Sequence, residues 1–377
     1  MKYLRSLGII GGGQLGRMLA FEAKKLGLTV RVIDPTPDSP AGQVVDEQIV
    51  GGYSDEIATN KLARVSDFIT VEIEHINVDT LHLLEKKGMM INPSSQTISI
   101  IKDKYLQKVY LRKNKIQIAN FMEVTTKNDI LDAGKKFGFP MLIKAKKDAF
   151  DGRGNALVKS KNDIDVALKK LSGRELYVEK FIPFIKELAV VEARSIKGDI
   201  VQYPPVETIH KNNICHIVKV PAEIDEKTKR RAQKIARRVL LHLKGAGVFT
   251  VELFLTHDGQ ILVNEIAPRV HNSGHLTIEA SVTNQFEQHI RAVTGLPLGS
   301  TEMKVKAAVM INILGERNGE IAISGLDKVL QIKGVHVHMY GKKETKIDRK
   351  MGHITVIDQS VKKALIKAKK ARKLLTV

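Results

Sequence analysis

With 377 residues, 43% of them hydrophobic and 27% charged, the chain is globular and long enough for two or three domains, because single cores stop growing at roughly 250 residues. The formal charge of +20 invites a nucleic-acid reading, but the lysines run along the whole length, no aromatic residues interleave them and Trp is absent, so no nucleic-acid partner is expected. The lone Cys215 excludes an intrachain disulfide and a thiolate metal cage; no apolar run approaches the ~20 residues of a membrane span, so a reducing, cytoplasmic setting without a membrane partner is expected.

The opening MKYLRSLGII reads as a strand entering a glycine turn rather than as a secretory signal. Up to about residue 95, strand and helix alternate: LGIIGGG, a helix near 14–26, TVRVID, a turn-rich stretch, DFITVEIE, a helix near 78–87 and MMINP. Such alternation predicts a parallel sheet with helices on its faces, ended by Pro93, Ser94 and Ser95. A Lys-rich helix follows, and FPMLIKAK and ALVKS read as two strands joined by the glycine loop DAFDGRGN. ELYVEKFI, KELAVVEARS, DIVQYPPVE and NICHIVKVPA read as mostly antiparallel strands, with a helix at 226–243. After Pro297, AAVMINILG and VHVHMYG supply strands of a third unit. The run SVKKALIKAKKARKLL spaces Ala364, Leu365, Ala368, Ala371 and Leu375 at helical intervals, so its lysines form the solvated face of an amphipathic helix.

Several patterns bear on chemistry. Gly11, Gly13 and Gly16 follow an apolar run in the spacing G-x-G-x-x-G, and Asp34 ends the next one, so a helix N-terminus facing a dinucleotide is one reading. In FTVELFLTHDGQILVNEIAPR, two alternating runs flank Asp258-Gly259, the mark of a two-residue hairpin loop. That loop pairs His257 with Gln260 and sets Glu252 opposite Glu265. Carboxylates facing each other at roughly 5 Å repel, and a divalent cation removes the objection. Oxygen ligands from two side chains suit Mg²⁺ completed by water and phosphates; a register with one Glu in solvent is the alternative. A metal that bridges phosphates implies a nucleotide. Lys144 ends a strand in KAKKDAFDGRG, while Gly152 and Gly154 let amides approach phosphates, although an ordinary flexible hairpin loop reads the same way. Glu72 and Glu74 alternate at the end of a parallel strand, the edge where such sheets bind ligands, or else form a solvated strand end. Arg269 offers a bidentate donor for phosphate or carboxylate, and His271 is either a proton-transfer group or a packed, hydrogen-bonding histidine.

A strand-borne Lys, a glycine loop, a strand ending in Glu (YVEKFI) and paired Glu on a hairpin, in that order, resemble the ATP-grasp superfamily. Within it, NEIAPRVHNSGHLTIEAS at 264–281 is similar to the signature of the 5-(carboxyamino)imidazole ribonucleotide synthase family. Further matches are GGGQLGRM, ITVEIEH at 69–75, IIKDKYLQK at 100–108, VMINILG at 309–315 and KKETKIDRKMGH at 342–353. The resemblance implies an α/β and α+β multidomain chain. A Rossmann-like parallel-sheet domain (1–95) precedes an ATP-grasp domain (96–295, lid subdomain about 112–178), and a small β-rich C-terminal domain (296–377) follows. In that family the first domain holds no dinucleotide, which turns the glycine motif away from NAD. The implied reaction belongs to purine synthesis: bicarbonate attacks the ATP γ-phosphate, giving carboxyphosphate and ADP, and the carboxyl group passes to the amine of 5-aminoimidazole ribonucleotide. ATP is the implied co-substrate, Mg²⁺ or Mn²⁺ the implied metal and a homodimer the implied assembly.

The same resemblance assigns residues. Lys104 and Lys144 look like ATP phosphate contacts, and Phe150, Asp151, Gly152, Arg153, Gly154 and Asn155 form the lid loop. Glu179, Lys180, Phe181 and Ile182 resemble the hinge that receives adenine through backbone groups, with Glu187 holding the ribose and His210 and Asn264 nearby. Glu252 and Glu265 match the metal ligands. Gln14 and Glu74 would lie at the imidazole ribonucleotide, while Arg269, His271, Asn272 and Ser273 hold reactive groups between the phosphate donor and that substrate. Lys343 and Arg349, with Lys350 close by, match positions that hold the nucleotide, although a solvated basic loop explains them equally. Asp151, Arg269, His271 and Lys343 make up the implied catalytic set. Two departures stand out: Lys147-Asp148-Ala149-Phe150 precede Asp151 where the family has G-G-Y, and Lys104 replaces the usual Arg, losing its bidentate fork. A formate-dependent glycinamide ribonucleotide transformylase is the nearest rival, disfavoured by the residues of the 271–275 stretch.

Overall fold

Residues 5–147 and 154–377 are described in the computed structural model of the chain. Ser6–Ile10, Thr29–Asp34, Glu47–Val50, Phe68–Val71 and Met90–Ile91 form one parallel sheet in the order 3-2-1-4-5. Apolar side chains cover both faces, as a parallel sheet requires: Leu7, Ile9, Val30 and Val32 pack on one side with Leu15 and Leu19 of the helix Gln14–Lys25. Ile10, Ile33, Ile69 and Val71 pack on the other with Leu62 and Leu81. The strand Glu47–Val50 and the helix Glu56–Arg64, capped by Asp55, lie in the stretch that reads as turn-rich. The strand at DFITVEIE is shorter than expected and ends at Val71; the Glu72 N–H closes the last rung on the Ile10 carbonyl at 3.0 Å, and Glu74 lies beyond it.

That early exit explains the glycine motif. Glu72 accepts the Gly13 and Gly16 N–H groups at 2.5 Å each, and Asp34 accepts the Gly12 N–H at 2.9 Å and the Tyr53 hydroxyl at 3.0 Å. The amides that would cradle a pyrophosphate are closed by the protein's own carboxylates. Gly16 is needed for close packing, since a Cβ there would lie 2.5 Å from the Gly11 carbonyl oxygen.

The stretch expected to form the lid holds a four-stranded antiparallel sheet in the order Phe121–Val124, Leu176–Lys180, Met141–Ala145, Asn155–Val158. The helices Lys127–Phe137 and Ile164–Lys170 bury Ile130, Ala133 and Ile164 against it. A nine-stranded sheet carries most of the rest, with Ile200–Gln202 as a side strand on Phe184–Arg194, and Gly319–Glu320 and Glu344–Thr345 form a separate two-stranded sheet. The larger sheet runs from the hairpin Gly247–Thr256 and Ile261–Ala267 through Phe184–Arg194 and the pair Val206–Lys211 and Ile214–Val220. It then passes into Ala307–Leu314, Lys350–Asp358 and Val335–Met339 without a break. The third unit therefore shares its sheet with the second. The helix Val361–Leu374 buries Ala364, Ala368 and Ala371 on that sheet and turns its lysines outward, the face read from its spacing. No helix among the described residues is long and apolar enough to cross a membrane.

Candidate active site

The hairpin brings Glu252 opposite Glu265, although not through the two-residue loop that Asp258-Gly259 suggests. Thr256 and Gln260 pair instead, leaving a three-residue loop with Gly259 at φ +77°. Leu253 then faces Val263, and a bulge at Asn264 restores the Glu252–Glu265 register. With the longer loop and no bulge, Asn264 would face Glu252. Burial and the facing Glu265 push the Glu252 carboxyl above its ordinary range. Two facing carboxylates are a site that a cation relieves. No cluster of three or more His, Cys, Asp or Glu able to hold a metal occurs among the described residues, so the pair would depend on phosphate oxygens and water for its remaining ligands.

One cation reaches this hairpin, and two more gather at Glu179 close enough for the Glu265 charge to bear on Lys108. Lys104 opens the helix Lys104–Lys113, capped by Asp103, and its amine pairs with Glu265. One turn on, Lys108 meets Glu179 at 2.6 Å, and Lys144 of the lid reaches the other Glu179 oxygen at 3.0 Å. Lys108 and Glu179 are 3% and 1% exposed. Burial works to raise the Glu179 carboxyl, but Lys108 and Lys144 outweigh it and hold it below its ordinary value. Across the sheet, His210 pairs with Glu187. Burial opposes a charge on that imidazole, yet the hydrogen bond and charge of Glu187 raise its pKa.

The turn after the hairpin carries Arg269 and His271. Glu74, beyond the edge of the first sheet, grips the Arg269 guanidinium at 2.9 and 3.2 Å. His271 accepts at Nδ1 from the Ser273 N–H at 3.4 Å and meets its hydroxyl at 2.9 Å; Nε2 lies 3.5 Å from Glu252. Burial first, then the charges of Arg269 and Lys350, lower its pKa well below the ordinary value, so the ring is neutral at pH 7. Both amide atoms of Asn272 are buried beside the Cys215 thiol, with no other hydrogen-bond partner among the described residues, an arrangement suited to a polar guest.

Three family descriptions match the chain in order: a ribonucleotide synthetase preATP-grasp domain over residues 4–102, an ATP-grasp domain over 109–286 and a phosphoribosylaminoimidazole carboxylase C-terminal domain over 308–367. The N5-carboxyaminoimidazole ribonucleotide synthase of Bacillus subtilis is 40% identical over 353 residues, covering 94% of this chain and 91% of that protein. The crystal structure of the synthetase of that name from Thermotoga maritima superposes with a TM-score of 0.90 at 48% identity and covers 99% of both chains. The chain belongs to the N5-carboxyaminoimidazole ribonucleotide synthase family.

The Aspergillus clavatus synthase of this family, solved in complex with ADP and 5-aminoimidazole ribonucleotide, has a TM-score of 0.92 at 36% identity over 99% of both chains. The chain spans about two thirds of the length of the fungal phosphoribosylaminoimidazole carboxylases that it also matches. As a synthase-family ATP-grasp chain, it brings Lys104, Lys108, Lys144, Glu179, Glu252 and Glu265 into one network and joins Glu74, Arg269 and His271 beside it. Phe150, Asp151, Gly152 and Arg153 lie outside the described residues. Gly154 anchors the loop's far end through its carbonyl, which accepts the Ala145 N–H, and Asn155 pairs with Lys144. The Lys180 N–H bonds to the Asn120 carbonyl, and Phe181 and Ile182 lie just past the end of that strand. Gln14 opens the first helix directly after the closed glycine turn.

Lys343 is 70% exposed and paired with Asp38 of the first domain at 2.8 Å, and the Arg349 guanidinium caps the Glu344 carbonyl. Lys350 sits closer to the centre, where its charge bears on both His271 and His210. Lys108 is the residue that the sequence reading passed over. It stands inside the quoted IIKDKYLQK, four residues after Lys104 and thus on the same helix face, which was the available signal.

Proposed function

We propose that the chain carboxylates 5-aminoimidazole ribonucleotide with bicarbonate at the expense of ATP, releasing ADP and phosphate and forming the N5-carboxyamino product through carboxyphosphate. The observation that carries this reading is the Glu74–Arg269 pair, which ties the first domain to the turn that also brings His271 to Glu252. A donor side rich in Lys and Glu and an acceptor side built on the first domain thereby meet at one turn. Mg²⁺ held by Glu252 and Glu265 would neutralise phosphoryl charge. Lys104 and Lys144, released from Glu265 and Glu179, add fixed positive charge at the transferring phosphate. Arg269 orients the carboxyl group as a planar donor, and neutral His271, with its proton on Nε2, hydrogen-bonds that group instead of carrying a competing charge. Asp151 at the substrate amine, Lys343 and Arg349 at the 5′-phosphate, a cytoplasmic location and a homodimer belong to the same proposal. The test is ADP release with each candidate acceptor. It should rise with 5-aminoimidazole ribonucleotide plus bicarbonate, and formate should not replace bicarbonate; stimulation by glycinamide ribonucleotide and formate would overturn the reading.

A further inference from the structure

Gln285 opens the helix Gln285–Thr294 and is fully buried, and its carboxamide bonds to the backbone of His271 and the ring of His275. Its carboxamide oxygen accepts the His271 N–H at 3.0 Å, and its amide nitrogen donates to the His271 carbonyl at 2.8 Å. One side chain thus reproduces both bonds of a strand partner on a residue that has none. The same nitrogen lies 3.1 Å from His275 Nδ1. Burial drives the His275 pKa down to about 3, so the ring is neutral and Nδ1 is able to accept from that amide nitrogen. The carboxamide lies flat against the turn, since a Cβ on Gly274 would stand 2.3 Å from its oxygen.

The far side is equally fixed. The His275 ring is 4.9 Å from that of His353, which accepts or donates at 2.9 Å to the Tyr340 hydroxyl and stacks at 4.5 Å on His338. His338 in turn pairs with Glu279 at 2.7 Å. The His271–His275 turn is therefore held between one helix N-terminus and the third unit, while its working face points to Glu252.

We infer that Gln285 is a positioning residue for carboxyl transfer: its bidentate hold on the His271 backbone sets the His271–Asn272–Ser273 turn against the metal-side hairpin. This role rests on the function proposed above. With the hold removed, ATP is still cleaved with bicarbonate, but carboxyphosphate escapes transfer and water returns it to bicarbonate and phosphate. ADP formation then uncouples from carboxylated product.

Gln288, one turn along the same helix, supplies a matched control. It is fully buried and holds Gly299 in the same way, accepting its N–H at 2.8 Å and donating to its carbonyl at 2.9 Å, away from the reacting turn. The experiment compares Gln285→Met with Gln288→Met, measuring thermal midpoint, KM for ATP, and ADP and carboxylated product in the same reaction. Both variants should lose stability to a similar degree. Product turnover should fall by roughly 10- to 100-fold in Gln285→Met alone, with KM for ATP near the wild-type value and ADP formed in excess of product. If Gln285→Met does not fold, Gln285→Glu against Gln288→Glu serves the same comparison, because Glu keeps the acceptor for the backbone N–H. A coupled, wild-type-like Gln285 variant, or equal uncoupling in the Gln288 variant, would overturn the role while leaving the proposed function standing. A wild-type protein that makes no carboxylated product would overturn the proposed function and this role with it.

Discussion

Lys108 and Glu179 form an ion pair with almost no access to water, and Lys144 takes the remaining Glu179 oxygen. Removing one partner of a buried pair costs about 3–5 kcal/mol when the other is left uncompensated; Lys144 still faces Glu179 once Lys108 is gone, so the loss here is smaller, about 1–3 kcal/mol. Lys108→Met should therefore lower unfolding stability by that order in a denaturant titration and weaken ATP binding, because Lys144 is drawn more tightly to Glu179; an unchanged midpoint would contradict the assignment. Glu192 is a different case. Burial raises its carboxyl from the ordinary 4.5 to about 8, and Gln202 donates the one hydrogen bond it has, at 2.9 Å, to one oxygen. The folded protein then binds a proton that the unfolded chain releases between these values, so the stability this group contributes is full below pH 4.5 and is lost as pH rises through 8. Glu192→Gln should match the wild type near pH 5 and exceed it increasingly toward pH 8.5 in urea midpoint; parallel pH curves would refute the shift. Neither burial could be read from the sequence, because a Lys on an amphipathic helix and a Glu in a strand ordinarily face water.

At the scale of elements, the hairpin shows how a right pairing came from an incomplete reason. The alternation on both sides of Asp258-Gly259 made the turn legible, but loop length was not, since Asp-Gly also serves a three-residue loop with glycine in the left-handed position. The bulge at Asn264 left no mark in the pattern and restored the pairing. Glu252→Gln and Glu265→Gln should each cut turnover by roughly 100-fold or more and raise the Mg²⁺ concentration needed for half-maximal rate, while metal-free Glu252→Gln, which relieves repulsion and leaves the Lys104–Glu265 pair in place, keeps or gains thermal stability. Normal turnover at low Mg²⁺ in both variants would contradict paired ligation. The glycine turn taught the opposite lesson. G-x-G-x-x-G describes a backbone able to face an anion, and here Glu72, 56 residues beyond Gly16, fills that place with its carboxyl oxygens from within. Only the early end of the strand at Val71, invisible in its periodicity, frees Glu72 to do so.

Across the whole molecule, the order of domains was legible because alternation, antiparallel runs and a final amphipathic helix follow one another with clear punctuation. The continuity of one sheet from the second unit into the third was not, since the pairing of Ile214–Val220 with Ala307–Leu314 joins strands far apart in sequence. Contacts such as Glu74 with Arg269 and Lys343 with Asp38 share that distance and carry no local signal. The third unit's loop docks on the first domain through Asp38 and through Gln43, which donates to the Gly341 carbonyl at 2.8 Å. A charge-assisted phosphate contact is worth roughly 1.5–3 kcal/mol. Lys343→Ala and Arg349→Ala should thus each raise KM for 5-aminoimidazole ribonucleotide by about tenfold or more and leave the ATP dissociation constant nearly unchanged; normal KM in both would remove these residues from the site. The most direct test of the proposed chemistry follows oxygen. With ¹⁸O-labelled bicarbonate, ATP and 5-aminoimidazole ribonucleotide in a single turnover, transfer through carboxyphosphate should leave one ¹⁸O in each released phosphate, and phosphate free of label would contradict it.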